Sequence, residues 1–205
     1  PPYTPLTFGT IVGRNVGEFF DITRKTPIHD WHVEHKAKFE NVGQWKRAWY
    51  YPISNESMDE AVQRESKAAR ESAGILDAST LGKIDIQGTD VSEFLNRVYT
   101  NAWSKLGIGK CRYGLMLNED GMLYDDGVTT RLDENHYIMT TTTGGAANVM
   151  SKLEDFLQTE WPELDVFLTS VTDHFATVSV CGPHSRKILN KIIPNLDLSD
   201  ENFPH

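Results

Sequence analysis

The spacing of apolar residues along the chain separates helices from strands. Ile84 and Ile86 lie on one side of a strand read over Lys83–Gln87, with polar residues between them. After Gly88-Thr89-Asp90 the period changes: Val91, Phe94, Leu95 and Val98 fall at i, i+3, i+4 and i+7, one face of a helix. A thinner stripe, Met58, Ala61, Val62, Ala68 and Ala69, predicts a helix running to about Ser72. Ser57 with Glu60 reads as its capping box, and Gly74 as its stop. Asp90 with Glu93 reads as a second box. Val149, Met150, Leu153, Phe156 and Leu157 predict a helix from about Ala146 to Trp161, which Pro162 ends.

Between these helices lies the most telling stretch, residues 111–131. Two apolar-rich runs, Cys111 to Leu117 and Met122 to Arg131, flank Asn118-Glu119-Asp120-Gly121, whose Asp-Gly step suits a tight turn. A β-hairpin is expected. Asp125 and Asp126 then stand side by side in its second strand, where aspartate is disfavoured. Neighbouring strand residues face opposite ways, so one carboxylate is expected inward and in need of a partner. Asp126 shares its face with Tyr124, Val128 and Thr130, and Asp125 takes the other.

Further strands are read at Tyr137–Thr142, Asp165–Val171 and Ala176–Cys181, and a last helix carries Ile188, Leu189, Ile192 and Ile193. The run Lys83–Gly88 with its helix resembles Thr177–Gly182 with its own, an internal strand-Gly-helix repeat expected to lie on one sheet. The fold class is therefore α+β, with helices packed against a largely antiparallel sheet. Residues 1–57, rich in proline and aromatics but without periodicity, read as an irregular segment wrapping a surface.

Composition narrows the function classes. The 205 residues carry a formal net charge of −9, which disfavours binding to nucleic acid by phosphate neutralisation. No apolar run reaches the roughly 18 residues of a membrane span. Cys111 and Cys181 sit in apolar runs and are expected as buried free thiols in a reducing cytoplasm.

His29, His32 and His35 have a spacing that could reach one metal ion on a helix, but no Cys accompanies them. Packing or surface histidines are the expectation. Glu119 and Asp120 suit a solvated hairpin tip, since their spacing departs from a calcium loop. Thr143-Gly144-Gly145 lacks the lysine of a phosphate loop and reads as a helix start with Thr capping.

Thr26-Pro27, His32-Val33-Glu34, Trp45, Gly74-Ile75-Leu76-Asp77-Ala78-Ser79, Tyr113, Asp120-Gly121, Asp125-Asp126 and Val180-Cys181-Gly182-Pro183 run in a familiar order. In order and spacing they resemble the folate-binding aminomethyltransferase domain of glycine-cleavage T-proteins. Within that superfamily, Lys25-Thr26-Pro27, Val42–Arg47, Leu76–Lys83 and Tyr99–Trp103 resemble the α subunits of heterotetrameric sarcosine oxidases. Two departures stand out: His35-Lys36 replaces a family glycine, and Thr142 replaces the usual asparagine.

The resemblance implies an arm over residues 1–25 and a folate-binding domain over 26–205, incomplete at its C-terminal side. It implies tetrahydrofolate as cofactor, with Asp126 beside the reactive folate nitrogen and Leu81, Tyr113, Val128 and Thr142 around the pterin. There Asp126 would stabilise positive charge on the transferring one-carbon unit and take or relay a proton. The parent complex would hold FAD, FMN and NAD outside this chain and contain β, γ and δ subunits. It would oxidise sarcosine to glycine and hydrogen peroxide and load the one-carbon unit onto tetrahydrofolate, giving 5,10-methylenetetrahydrofolate. Two other readings stay open: a stand-alone aminomethyltransferase, and a folate-binding or assembly module without catalysis.

Overall fold

The computed structural model describes residues 4–12 and 23–203. Much of the arm expected over 1–25 lies outside the described residues. Its described part holds a short helix, α1 (Phe8–Val12), and the two-residue strand β1 (Arg24–Lys25).

The segment expected to be irregular is structured. Helix α2 (His29–Glu34) is followed by β2 (Lys38–Val42) and β3 (Trp45–Tyr50), and β1 pairs in parallel with β3 to make a small sheet ordered β1-β3-β2. Gly43, at φ +57°, makes the β2–β3 turn. Aromatic residues hold this layer together: Arg24 lies over the Trp45 ring at 4.1 Å, and Trp31 stacks on His35 at 3.9 Å.

Helix α3 (Met58–Glu71) begins with the expected box: Ser57 Oγ accepts from the Glu60 amide, and the Glu60 carboxylate accepts from the Ser57 amide at 2.9 Å. Ser57→Ala should lower the unfolding free energy by about 1 kcal/mol, read from urea melts. Gly74 is not the stop. The helix ends at Glu71, and Gly74 opens a strand, β4 (Gly74–Asp77), which sequence reading missed.

Strand β5 (Gly82–Gln87) leads through Gly88 into α4 (Val91–Val98). The second capping box is absent: the Asp90 carboxylate instead accepts from the Asp165 amide at 2.9 Å, tying the start of α4 to a distant loop. A 3-10 turn (Trp103–Lys105) precedes the hairpin β6 (Cys111–Leu117) and β7 (Leu123–Asp133). Then come β8 (His136–Thr141), α5 (Ala146–Asp155) continued by a π turn (Phe156–Glu160), β9 (Phe167–Ser170), β10 (Val178–Cys181) and α6 (Ser185–Ile192).

The main sheet is antiparallel throughout, ordered β6-β7-β8-β5-β9. One face is covered. Ile84, Ile86, Met116, Tyr137 and Met139 project from it into a core completed by Val91, Phe94 and Leu95 of α4 and Val149 and Leu153 of α5. The opposite face is largely open, with Leu115 and Val128 each 38% exposed.

The internal repeat survives as local geometry but not as one sheet. β5 belongs to the five-stranded sheet, whereas β10 pairs antiparallel with β4 in a separate two-stranded one. What the two copies share is the glycine. Gly88 and Gly182 both have positive φ (+137° and +96°), and a Cβ on either would fall within 2.5 Å of a backbone oxygen. The two cysteines are exposed, not buried. Cys111 lies on the open face of β6, and Cys181 is on a sheet too small to have a core on both sides.

Candidate functional site

The registers of the main sheet gather the candidate residues. Tyr113 of β6 lies opposite Val128 of β7, and Leu115 opposite Asp126. Beyond Val128, Thr140 of β8 bridges to β7 with its side chain: the Val128 amide donates to Thr140 Oγ1 at 2.9 Å, and that hydroxyl donates to the Val128 carbonyl. Thr140 in turn lies opposite Lys83 of β5. Lys83, Thr140, Val128 and Tyr113 thus form one row across four strands. At about 4.8 Å per strand the row spans roughly 14 Å, enough for a flat fused ring.

Asp126 is half-buried, and its hydrogen-bond partner among the described residues is the Tyr113 hydroxyl, which donates to Oδ2. That bond raises the Tyr113 pKa, since losing the proton would set two anions face to face. The Tyr113 ring, 55% exposed, and the Val128 side chain together offer an apolar surface beside the carboxylate.

Asp125 points into the covered face and is buried. Thr142 donates to it twice, from its amide at 3.2 Å and its hydroxyl at 2.5 Å. Burial raises the Asp125 pKa, the Thr142 bonds oppose that, and the neighbouring Asp126 charge adds to it. The adjacent carboxylates therefore differ in environment: one is tied into the frame, the other open to a ligand.

Thr142 itself is committed to that frame. Its hydroxyl also accepts from the Gly145 amide at 3.1 Å, so Thr142, not Thr143, caps the approach to α5. Thr143 pairs instead with Thr80 at 3.0 Å. Leu81 lies just before β5 and lines a cleft of about 360 Å³ with Glu40, Arg47, Trp49 and Leu76. Tyr124 does not share the Asp126 face. A bulge between Met116 and Leu117 turns it toward α5, where its hydroxyl donates to the Asn148 carbonyl and Lys152 lies 4.8 Å from its ring.

The three histidines do not converge. His32 is buried and its Nε2–H donates to Asp77 at 2.8 Å, while its Nδ1 accepts from the Tyr51 hydroxyl at 2.6 Å. His29 packs against Phe39 at 5.0 Å, and His35 against Trp31. Burial would raise the Asp77 pKa, but hydrogen bonds from Ser79 and His32 outweigh it and the net shift is downward. Burial, with the Asp77 charge, pushes Tyr51 up to about 12. Among the described residues, no group of three or more His, Cys, Asp or Glu could hold a metal ion.

The family model of the GCVT N-terminal domain matches residues 28–205. The chain belongs to that family. Its fold is shared by the solved aminomethyltransferase T of the glycine cleavage system from Bartonella henselae. That chain superposes with a TM-score of 0.72 at 24% identity, covering 82% of this chain and 43% of the other. Among curated relatives, the sarcosine oxidase subunit alpha of Corynebacterium sp. (strain U-96) is 59% identical over 98% of this chain. The subunit of that name in Rhizobium meliloti is 51% identical over 100%. The chain spans 21% of the length of either relative. An aminomethyltransferase of Staphylococcus epidermidis is 30% identical over 86% of the chain.

Three residues of this GCVT N-terminal domain escaped sequence reasoning: Lys83, Thr140 and Leu115. Strand parity alone would have put Lys83 on the Thr140 face. What was missing was the pairing of β5 with β8, a long-range contact that no local pattern encodes.

Proposed function

We propose that this chain is the folate-binding part of a sarcosine oxidase α subunit, where Asp126 assists transfer of a one-carbon unit to tetrahydrofolate. One observation carries the reading. Tyr113 and Val128 form an apolar patch on an open sheet face, with the Asp126 carboxylate at its edge. A pteridine needs a flat apolar bed, and the patch supplies one. When bound, tetrahydrofolate supplies the amine that accepts the one-carbon unit. Asp126 then lowers the energy of positive charge at that nitrogen and holds a proton leaving it. The Tyr113 hydroxyl orients the carboxylate, leaving Oδ1 as its free acceptor.

In this reading the whole protein oxidises sarcosine to glycine and hydrogen peroxide, and the product folate is 5,10-methylenetetrahydrofolate. FAD, FMN and NAD would bind outside this chain, β, γ and δ subunits would be its partners, and the complex would work in the cytoplasm. Greater identity to the α subunits than to the aminomethyltransferase supports this over a stand-alone transferase. No helix among the described residues is long and apolar enough to cross a membrane.

The test is calorimetric titration of tetrahydrofolate into the full-length gene product and its Asp126→Ala variant, with methylenefolate yield measured alongside. Yield should fall on the order of 10²-fold, the usual cost of one preorganised electrostatic contact. Equal binding and equal yield in the variant would sink the assignment.

A further inference from the structure

Among the described residues, Lys83 is the one lysine buried to 3% exposure, and no carboxylate there bonds its ammonium. Its Nζ donates to the Leu81 carbonyl at 2.8 Å and the Ser79 carbonyl at 3.1 Å. Burying an ammonium costs several kcal/mol unless its protons are bonded. An apolar side chain would serve a plain core better, so the charge needs a structural reason. The carbonyls it holds belong to the turn between β4 and β5, and Leu81 is the last residue of that turn.

The other contacts of the turn point the same way. The Asp77 carboxylate accepts from the Ser79 amide at 3.0 Å, so the Ser79 residue is held at its N–H by an anion and at its carbonyl by a cation. Burial lowers the Lys83 pKa, and the Asp77 and Asp173 charges offset that only in part. Arg24 occupies Asp173 in an ion pair at 2.6 Å. Thr80 anchors the middle of the turn to Thr143. Lys83 also lies in the same sheet row as Thr140, Val128 and Tyr113.

We propose that Lys83 is a positioning residue of the folate site, fixing the Ser79–Leu81 turn as a rigid wall at the end of the row opposite Tyr113. The proposal rests on the folate reading above. It acts by preorganisation: a turn already held in its bound shape loses no freedom when the ring arrives. A methionine at 83 keeps the length and apolar stem of lysine but donates nothing. A glutamine can donate to one of the two carbonyls.

The full-length gene product and its Lys83→Met, Lys83→Gln and Asp126→Ala variants are titrated with tetrahydrofolate, and amide exchange over residues 79–81 is followed by mass spectrometry. Lys83→Met should raise Kd at least ten-fold and speed exchange of the turn by a similar factor. Lys83→Gln should fall between Lys83→Met and the parent in both. Should Lys83→Met not fold, the Gln variant carries the same comparison, with a Kd raised at least three-fold expected. Parent-like Kd in the Lys83 variants, beside altered binding by Asp126→Ala, would overturn this proposal alone. No binding by the parent protein would overturn the folate reading and this proposal together.

Discussion

Replacing Asp77 with alanine should lower the unfolding free energy by about 3–5 kcal/mol. Two buried donors lose their acceptor, the His32 Nε2–H and the Ser79 N–H, and each costs about 1–3 kcal/mol when left unpaired. The loss propagates to Tyr51, whose hydroxyl is held by the other nitrogen of His32. Urea melts of the parent and the variant measure it. Asp77→Asn should lose less, because the amide oxygen still accepts one bond. The sign of the pH dependence follows from the downward shift. The ionised form is favoured by folding, so this stability is fully present well above the ordinary carboxylate value of 3.8 and fades as pH falls below it. The Asn variant should lack that part of the acid sensitivity. A variant as stable as the parent would show that the network is replaced by water.

Trp103→Ala should cost a comparable amount, about 3–5 kcal/mol, through a different mechanism. The indole is fully buried and stands edge-on to Tyr99 at 5.9 Å. It presses on β6 where that strand has Gly114: a Cβ there would lie 2.6 Å from the ring. Removing the ring leaves a cavity directly behind Tyr113. Gly114→Ala should be destabilising in the parent and far better tolerated beside Trp103→Ala, so the two changes together cost less than their sum. Additive costs in thermal melts would show that the ring and the glycine are not in register.

How far the sequence reached depended on how local the information was. The hairpin was legible because Asp120-Gly121 marks its turn and the flanking runs alternate. The helices α3, α4 and α5 were legible from their stripes. Residues 24–50 were not. Their strands are short and half-buried, so Phe39, Trp45 and Trp49 give no period, and α2 has only six residues. Spacing made His29, His32 and His35 a possible ligand set, with packing the expectation; the partner that claims His32, Asp77, lies 45 residues away, beyond any local pattern. The different environments of Asp125 and Asp126 followed from strand parity. That Tyr124 leaves the Asp126 face did not, because a bulge resets parity without leaving a mark in composition. Lys83 entered the sequence reading only as the first residue of its strand. Its burial comes from carbonyls of a turn, which every residue possesses and no sequence advertises.

The side-chain bridge between β7 and β8 has a consequence for motion. Backbone pairing of these strands stops at Thr129 with Met139, and from there to Asp125 the two are joined by the Thr140 hydroxyl and the Asp125 carboxylate. Side chains can rotate away singly, whereas ladder bonds break together with their neighbours. Opening on the β8 side therefore breaks side-chain bonds alone, while the stretch holding Asp126 and Val128 keeps its ladder to β6, where Val128 pairs with Tyr113 and Asp126 with Leu115. The strand that carries the carboxylate can thus part from β8 along this stretch without losing its register on β6.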